Sequence, residues 1–362
     1  MTGNKKSFSA ILSVIIICSL SSFTRAEDID YKIIEPNEVP NVLLKLASAT
    51  QANFNKIKTW QGNVINETVF TIRGEKVREY LSESSEAEPN ESINEIQRLY
   101  KKEIEFKIDV ENNRFFSFSD RSTEPYTYID TDKGKSYAAN RGPEEQLFLV
   151  TSEHEIEITP LSWRGKDNAV TSRIAMKRPP GATDLTDPRD VFRIGYKTLW
   201  LTLSQLAQHL QMPNIEKLGI VIKEKSAGGH KTYRIEISDP GVVHPSQIFV
   251  LGDEVGFNRT YIENWYDKDS LMSKTTTEFV NLQGVFLPKK WEFSQYYRDG
   301  GLMRQEFNTI ETQQINVPIP DSTFSELTYL SSGDRLRDRI TNKDFECKNG
   351  KLVELVKKLS EK

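Results

Sequence analysis

Residues that could do chemistry are few in this chain, and they stand apart. The four histidines, His154, His209, His230 and His244, never fall at the i, i+4 spacing with which a helix offers two imidazoles to one metal ion, and neither HExxH nor HxxxH occurs. His230 follows a Gly-Gly pair and His244 precedes a proline, positions that predict exposed loops. Asp130-Thr131-Asp132-Lys133-Gly134 opens like a calcium loop, since a hard cation wants several carboxylate oxygens around a sharp glycine turn. The glutamate that would complete the coordination is missing downstream and Lys133 adds a positive charge, so a hairpin turn is expected instead. Gly333-Asp334-Arg335-Leu336-Arg337-Asp338 mixes its signs and neutralises itself. A Gly-x-Ser-x-Gly nucleophile elbow is absent. No catalytic residue, metal ligand or cofactor is assigned, and the chain reads as a non-enzyme.

Compartment and charge narrow the partners. Lys5 and Lys6, an apolar run from Ser9 to Leu20, and Thr24-Arg25-Ala26 follow one another in the order of an export signal, with cleavage expected after Ala26. The run of about a dozen residues falls short of the roughly 20 that a spanning helix needs. Cys18 follows Ile15, Ile16 and Ile17 instead of the small residues of a lipoprotein signal, so lipidation there is not expected. The mature chain is expected in the periplasm or outside the cell. It keeps only Cys347, so it can form no intramolecular disulfide, and that thiol is expected to be partly buried or unreactive. Without Lys5, Lys6 and Arg25, 45 basic residues face 52 acidic ones, a net charge of about −7 that argues against a nucleic-acid partner.

Aromatic side chains are 10% of the chain. Most must close a core, and the remainder are of the right type to line an apolar pocket. The candidate ligand-lining residues are Trp265, Trp291 and Phe293, because neighbouring strands can bring them onto one surface.

The elements that must position these rings are mainly strands. Within Leu271 to Phe324, Trp291, Phe293 and Tyr297 fall on one face while Lys290, Glu292 and Ser294 fall on the other. Asp299-Gly300-Gly301 supplies a tight turn, and Pro288 marks a bend or bulge because proline cannot donate to a ladder. Ile104, Phe106, Ile108 and Val110 alternate in the same way against Glu105, Lys107 and Asp109. Trp60 opens a strand that closes at Gly74, and a second is expected from Lys76 to Leu81. Two amphipathic helices, Asn41 to Lys58 with Asn41 as N-cap and Leu203 to Gln211, carry apolar stripes that need a sheet to cover. Ser82 to Ser92 reads as an acidic exposed insertion and Pro160 to Thr198 as a long irregular excursion. Gly350 to Lys362 is expected to form a short, loosely attached helix behind a glycine hinge. The fold class is mainly β with some helix (α+β), a large curved antiparallel sheet with two or more helices on its concave face.

Five short stretches carry a resemblance: Lys58-Thr59-Trp60, Asp187-Pro188-Arg189, Gly284 to Lys289, Asn316 to Phe324 and Gly333 to Asp338. With these in order, the chain resembles the LolA/LolB-like half-barrel superfamily of lipoprotein carriers, and especially secreted outer-membrane lipoprotein-sorting-like proteins. The resemblance implies one half-barrel domain over residues 27–330, with insertions near 82–92 and 160–198 and a C-terminal extension over 331–362. It also implies a groove between sheet and helices that takes a lipid or a lipoprotein acyl chain. The alternative is an envelope module whose sheet is a scaffold for a protein partner.

Overall fold

The computed structural model describes residues 31–74, 76–77, 94–120, 126–130, 136–139, 145–164, 169–179, 203–211 and 218–355. The export signal, the acidic insertion and residues 180–198 of the irregular excursion lie outside them.

Strand β2 (Thr59–Arg73) is the middle of the sheet. It pairs along its length with β3 (Glu95–Asp109) on one side and β16 (Leu302–Ile315) on the other. From β16 the sheet runs through β15 (Val285–Tyr296), β14 (Ser270–Leu282), β13 (Arg259–Asp267), β12 (Gln247–Gly252), β11 (His230–Ser238) and β10 (Gly219–Ala227) to the short β1 (Lys32–Ile33). From β3 it runs through β4 (Arg114–Asp120), β7 (Gln146–Val150), β8 (Glu155–Arg164) and β9 (Ala169–Arg178). It ends in β17 (Arg335–Asp338), β18 (Lys343–Lys348) and β19 (Lys351–Glu354). The hairpin of β5 (Tyr126–Asp130) and β6 (Ser136–Ala139) hangs on the first part of β3. Every ladder is antiparallel except β9–β17, which is parallel. Each ladder from β12–β13 to β16–β2 contains a register shift, and such bulges bend a sheet. One lies where Pro288 faces Phe279, as the proline predicts.

Helices α1 (Val39–Phe54) and α2 (Leu203–Gln211) cover the inner face of β10–β12. Val39, Leu43 and Leu46 of α1 and Leu203, Leu206 and Ala207 of α2 meet Ile222, Ile235 and Phe249 in one buried cluster. The opposite face of these strands carries ion pairs such as Lys223–Glu236 and Arg234–Glu236. α1 begins earlier than Asn41: Glu38 is its N-cap and Pro40 lies in its first turn, where a missing N–H costs nothing. Its last turns are pinned by Asn53, whose side-chain amide donates to the Phe286 carbonyl and accepts from the Phe286 N–H, each at 2.9 Å. A second buried cluster follows around Ile57, Trp60, Phe106 and Leu287.

The C-terminal segment as far as Glu354 is part of the sheet, where the start of a loosely attached helix was expected; residues 356–362 of that helix lie outside the described residues. Lys351–Glu354 is a strand, and Asn349 and Gly350 both have positive φ, 52° and 72°. That is the Asn-Gly turn of a tight hairpin, which the helical spacing of Leu352 and Leu355 masks. Residues of this segment, Phe324, Leu330, Leu336 and Cys347, build a third buried cluster on the outer face of β4 and β7–β9. Cys347 is fully buried there, beyond the partial burial expected. The excursion also starts later than Pro160, because β8 and β9 form a hairpin through residue 178, with Pro160 at a register shift. Lys76 and Val77 are helical instead of opening a strand.

Asp109 and Arg114 fasten this segment. Arg114 donates to Asp109 and, at 2.7 Å, to Asp321, while its guanidinium lies 4.4 Å over the Phe324 ring. Burial pushes the Asp109 carboxyl up, but hydrogen bonds from Arg114 and Asn112 outweigh it and hold the group below its ordinary value. A carboxyl depressed by folding contributes its full stability above its unfolded pKa of about 3.9 and loses it as pH falls below that value. Asp109→Asn should therefore shrink the loss of stability between pH 6 and pH 3, read as urea midpoints. An acid limb identical to the parent's would remove Asp109 as a cause of acid sensitivity.

Candidate ligand-binding face

Past the helices, the inner face continues over β13–β16, β2 and β3 as three cross-strand rows. The row nearest the closed core is Thr277, Trp291, Asn308, Asn66 and Lys102. The next is Ile262, Thr275, Phe293, Glu306 and Thr68, and the outermost is Asn264, Ser273, Gln295, Arg304, Phe70 and Arg98. Ile262 packs on the helix-covered cluster and Trp291 on the cluster around Trp60, which fixes these rows to the helix-bearing face.

The floor is amphipathic. Many of its polar groups pair with one another: Asn66 donates to Asn308 at 2.7 Å, Thr68 to Asn66 at 2.9 Å, Gln247 to Asn264 at 2.7 Å and Asn264 to Ser273 at 2.8 Å, while the Asn308 Nδ2 and Gln247 Oε1 atoms are buried without a partner among the described residues. Arg304 pairs with Glu306, and the Arg98 and Arg304 guanidiniums lie 4.9 and 5.0 Å over Phe70. Pairing of this kind removes most of the cost of placing amides and hydroxyls beside apolar matter. Phe70, Trp291 and Phe293 stand among them half-buried.

Beneath α1 and α2 the space between sheet and helix is filled: Leu43, Leu206, Ala207, Ile222, Ile235 and Leu251 are each 0% exposed. The groove expected there is a packed core, because the stripe on each helix is wide enough to cover three strands. Any open apolar surface on this face lies beside the helices.

Two of the three candidate residues come together. Trp291 and Phe293 share the inner face, two positions apart on β15. Trp265 stands on the other face: its Nε1 donates to Glu263 at 3.3 Å, Glu263 is opposite Lys274, and His244 meets the indole edge at 5.4 Å. Trp265 keeps the alternation of its own strand with Glu263, and the register shift just before it displaces its partner on β14. Phe70 was passed over, and only the β2–β16 register reveals it, since it lies more than 200 positions from Phe293 in the chain.

No family model matches the chain, and no curated protein matches it. Among solved structures, one that matches is a domain from Vibrio parahaemolyticus named for outer membrane lipoprotein sorting, with 8% identity over 79% of this chain and 98% of that one and a TM-score of 0.33.

The histidines remain apart in space. His154 sits by Thr151 in the β7–β8 turn, where burial and then Lys177 lower its pKa, and His230 is exposed beside Asp253 at 3.0 Å. The side chain of His209 and residues 131–135 of the calcium-like loop lie outside the described residues. Among the described residues, no three His, Cys, Asp or Glu side chains group closely enough to hold a metal ion, and no helix is long and apolar enough to cross a membrane.

Proposed function

We propose that this chain is an exported, non-enzymatic binding protein that shelters an apolar moiety, a lipid or lipoprotein acyl chain, on the inner face beside its helices. The observation that supports this reading is the half-buried trio Phe70, Trp291 and Phe293, set on a floor whose amides and hydroxyls are in large part paired across the strands. Such a floor offers dispersion contacts to a hydrocarbon while most of its polar groups stay paired within the sheet. Trp291, next to the closed core, would meet the end of the chain that enters deepest.

Two measurements test it. The natively purified protein should release lipid on extraction, seen by mass spectrometry. An acyl chain carrying bromine should quench part of the tryptophan emission, and Trp291→Phe should abolish that part. Trp291→Ala and Phe293→Ala should each weaken acyl binding by about tenfold, the scale of burying one aromatic side chain. Absence of both lipid and probe binding from a folded sample would sink the proposal.

A further inference from the structure

The outer face holds a different site. One cross-strand row runs Glu105, Phe118, Leu147 and Ile158 over β3, β4, β7 and β8. The adjacent row, which starts at Lys107 and Phe116, is roofed by the C-terminal segment, with Tyr329 stacked on Phe116 at a centroid distance of 5.5 Å. Where the roof stops, a half-enclosed cavity of about 270 Å³ opens over Phe118, Leu147 and Ile158, with Glu105 on β3 and Arg173 on β9 in its lining. This is the lower end of the size range of small-molecule sites.

Charge decides what would fit. Arg173 gives both Nε and Nη2 to one oxygen of Glu145, at 3.1 and 2.9 Å, so its cation is already matched. Glu105 is more exposed, at 43%, and is paired with Lys107 Nζ at 2.8 Å, a surface contact that an incoming ammonium can displace at little cost, leaving Lys107 5.1 Å over the Phe116 ring. The protein's own lysine thus displays, one row away, the combination of ammonium, ring face and carboxylate that a bound cation would use. Burial, and then the Glu105 charge, push the Tyr329 phenol up to about 12, which agrees with a negative wall.

We propose that this cavity binds a small organic amine, its apolar body over Phe118, Leu147 and Ile158 and its ammonium against Glu105. The site is separate from the inner face and does not depend on it. The test uses the full chain and three probes of one shape, 4-phenylbutylamine, 4-phenylbutanol and 4-phenylbutyric acid, followed by saturation-transfer NMR and titration. The amine should bind about tenfold more tightly than the alcohol, and the acid more weakly still. Glu105→Gln should remove the preference for the amine, and Glu105→Lys should reverse it toward the acid. Glu105 is a half-exposed surface residue, so both variants should melt like the parent. Equal binding of the three probes, no binding of the amine, or amine binding unchanged in Glu105→Lys would each overturn the proposal.

Discussion

Trp60→Ala lowers the stability of the fold by about 3–5 kcal/mol, the usual cost of truncating a buried tryptophan or phenylalanine to a methyl group. Trp60 is 1% exposed at the start of β2, opposite Ile108 on β3 and Ile315 on β16. Its ring meets Phe106 edge-on at 5.0 Å, and its Nε1 donates to Gln313 at 3.3 Å. Truncation therefore opens a cavity at the junction of three strands and leaves a side-chain amide short of a donor. Neighbouring β-strands are held by their ladders and cannot collapse into the space. Urea unfolding measures the effect, and a loss below about 1 kcal/mol would show that the junction relaxes after all.

Gly62→Ala, two residues along on the same face, removes a similar amount for the opposite reason. A Cβ at Gly62 would overlap the Thr312 carbonyl oxygen and touch the Phe106 ring at 3.2 Å. The carbonyl belongs to backbone at the register shift between Ile310 and Thr312, where β16 swings towards β2. Backbone in a ladder cannot step aside as a side chain can, so about 3 kcal/mol is expected, the upper part of the range for overpacking. Gly301→Ala is the control. Its Cβ would overlap the Arg73 guanidinium, a side-chain end that can turn aside by loosening its surface ion pairs to Glu95 and Asp299, and should cost about 1 kcal/mol. Equal destabilisation by the two alanines would refute the distinction.

Much of the scaffold was legible in the residues. Leu203–Gln211 is a helix as its apolar spacing requires, and the meander from β14 to β16 follows from alternation and from the Asp299-Gly300-Gly301 turn. Local rules suffice in those places because neighbours in the chain are neighbours in space. They misled where one residue type serves two purposes. Asn41 looked like the N-cap of a helix that begins earlier, with Pro40 in its first turn, while Gly350 looked like a hinge and belongs to a hairpin turn. The candidate site was half legible for a deeper reason. Alternation tells which residues of one strand share a face, so Trp291 and Phe293 were paired correctly. It cannot carry a face from strand to strand across a register shift, so Trp265 was misplaced. Nor can it see a pairing made from the far end of the chain, so Phe70 was missed.

That distant pairing also governs how the molecule must be made. β2 is synthesised early, yet one of its two partners, β16, is more than 200 residues later; the bond between Trp60 and Gln313 spans 253 positions. Half of the hydrogen-bonding edge of β2 stays without its native partner until most of the chain has emerged. Closing so long a loop before any contact rewards it makes for slow folding. During that interval a long β-branched strand is open to pairing with other chains, so this protein should depend on holding factors in its compartment more than a hairpin-by-hairpin sheet of equal size would.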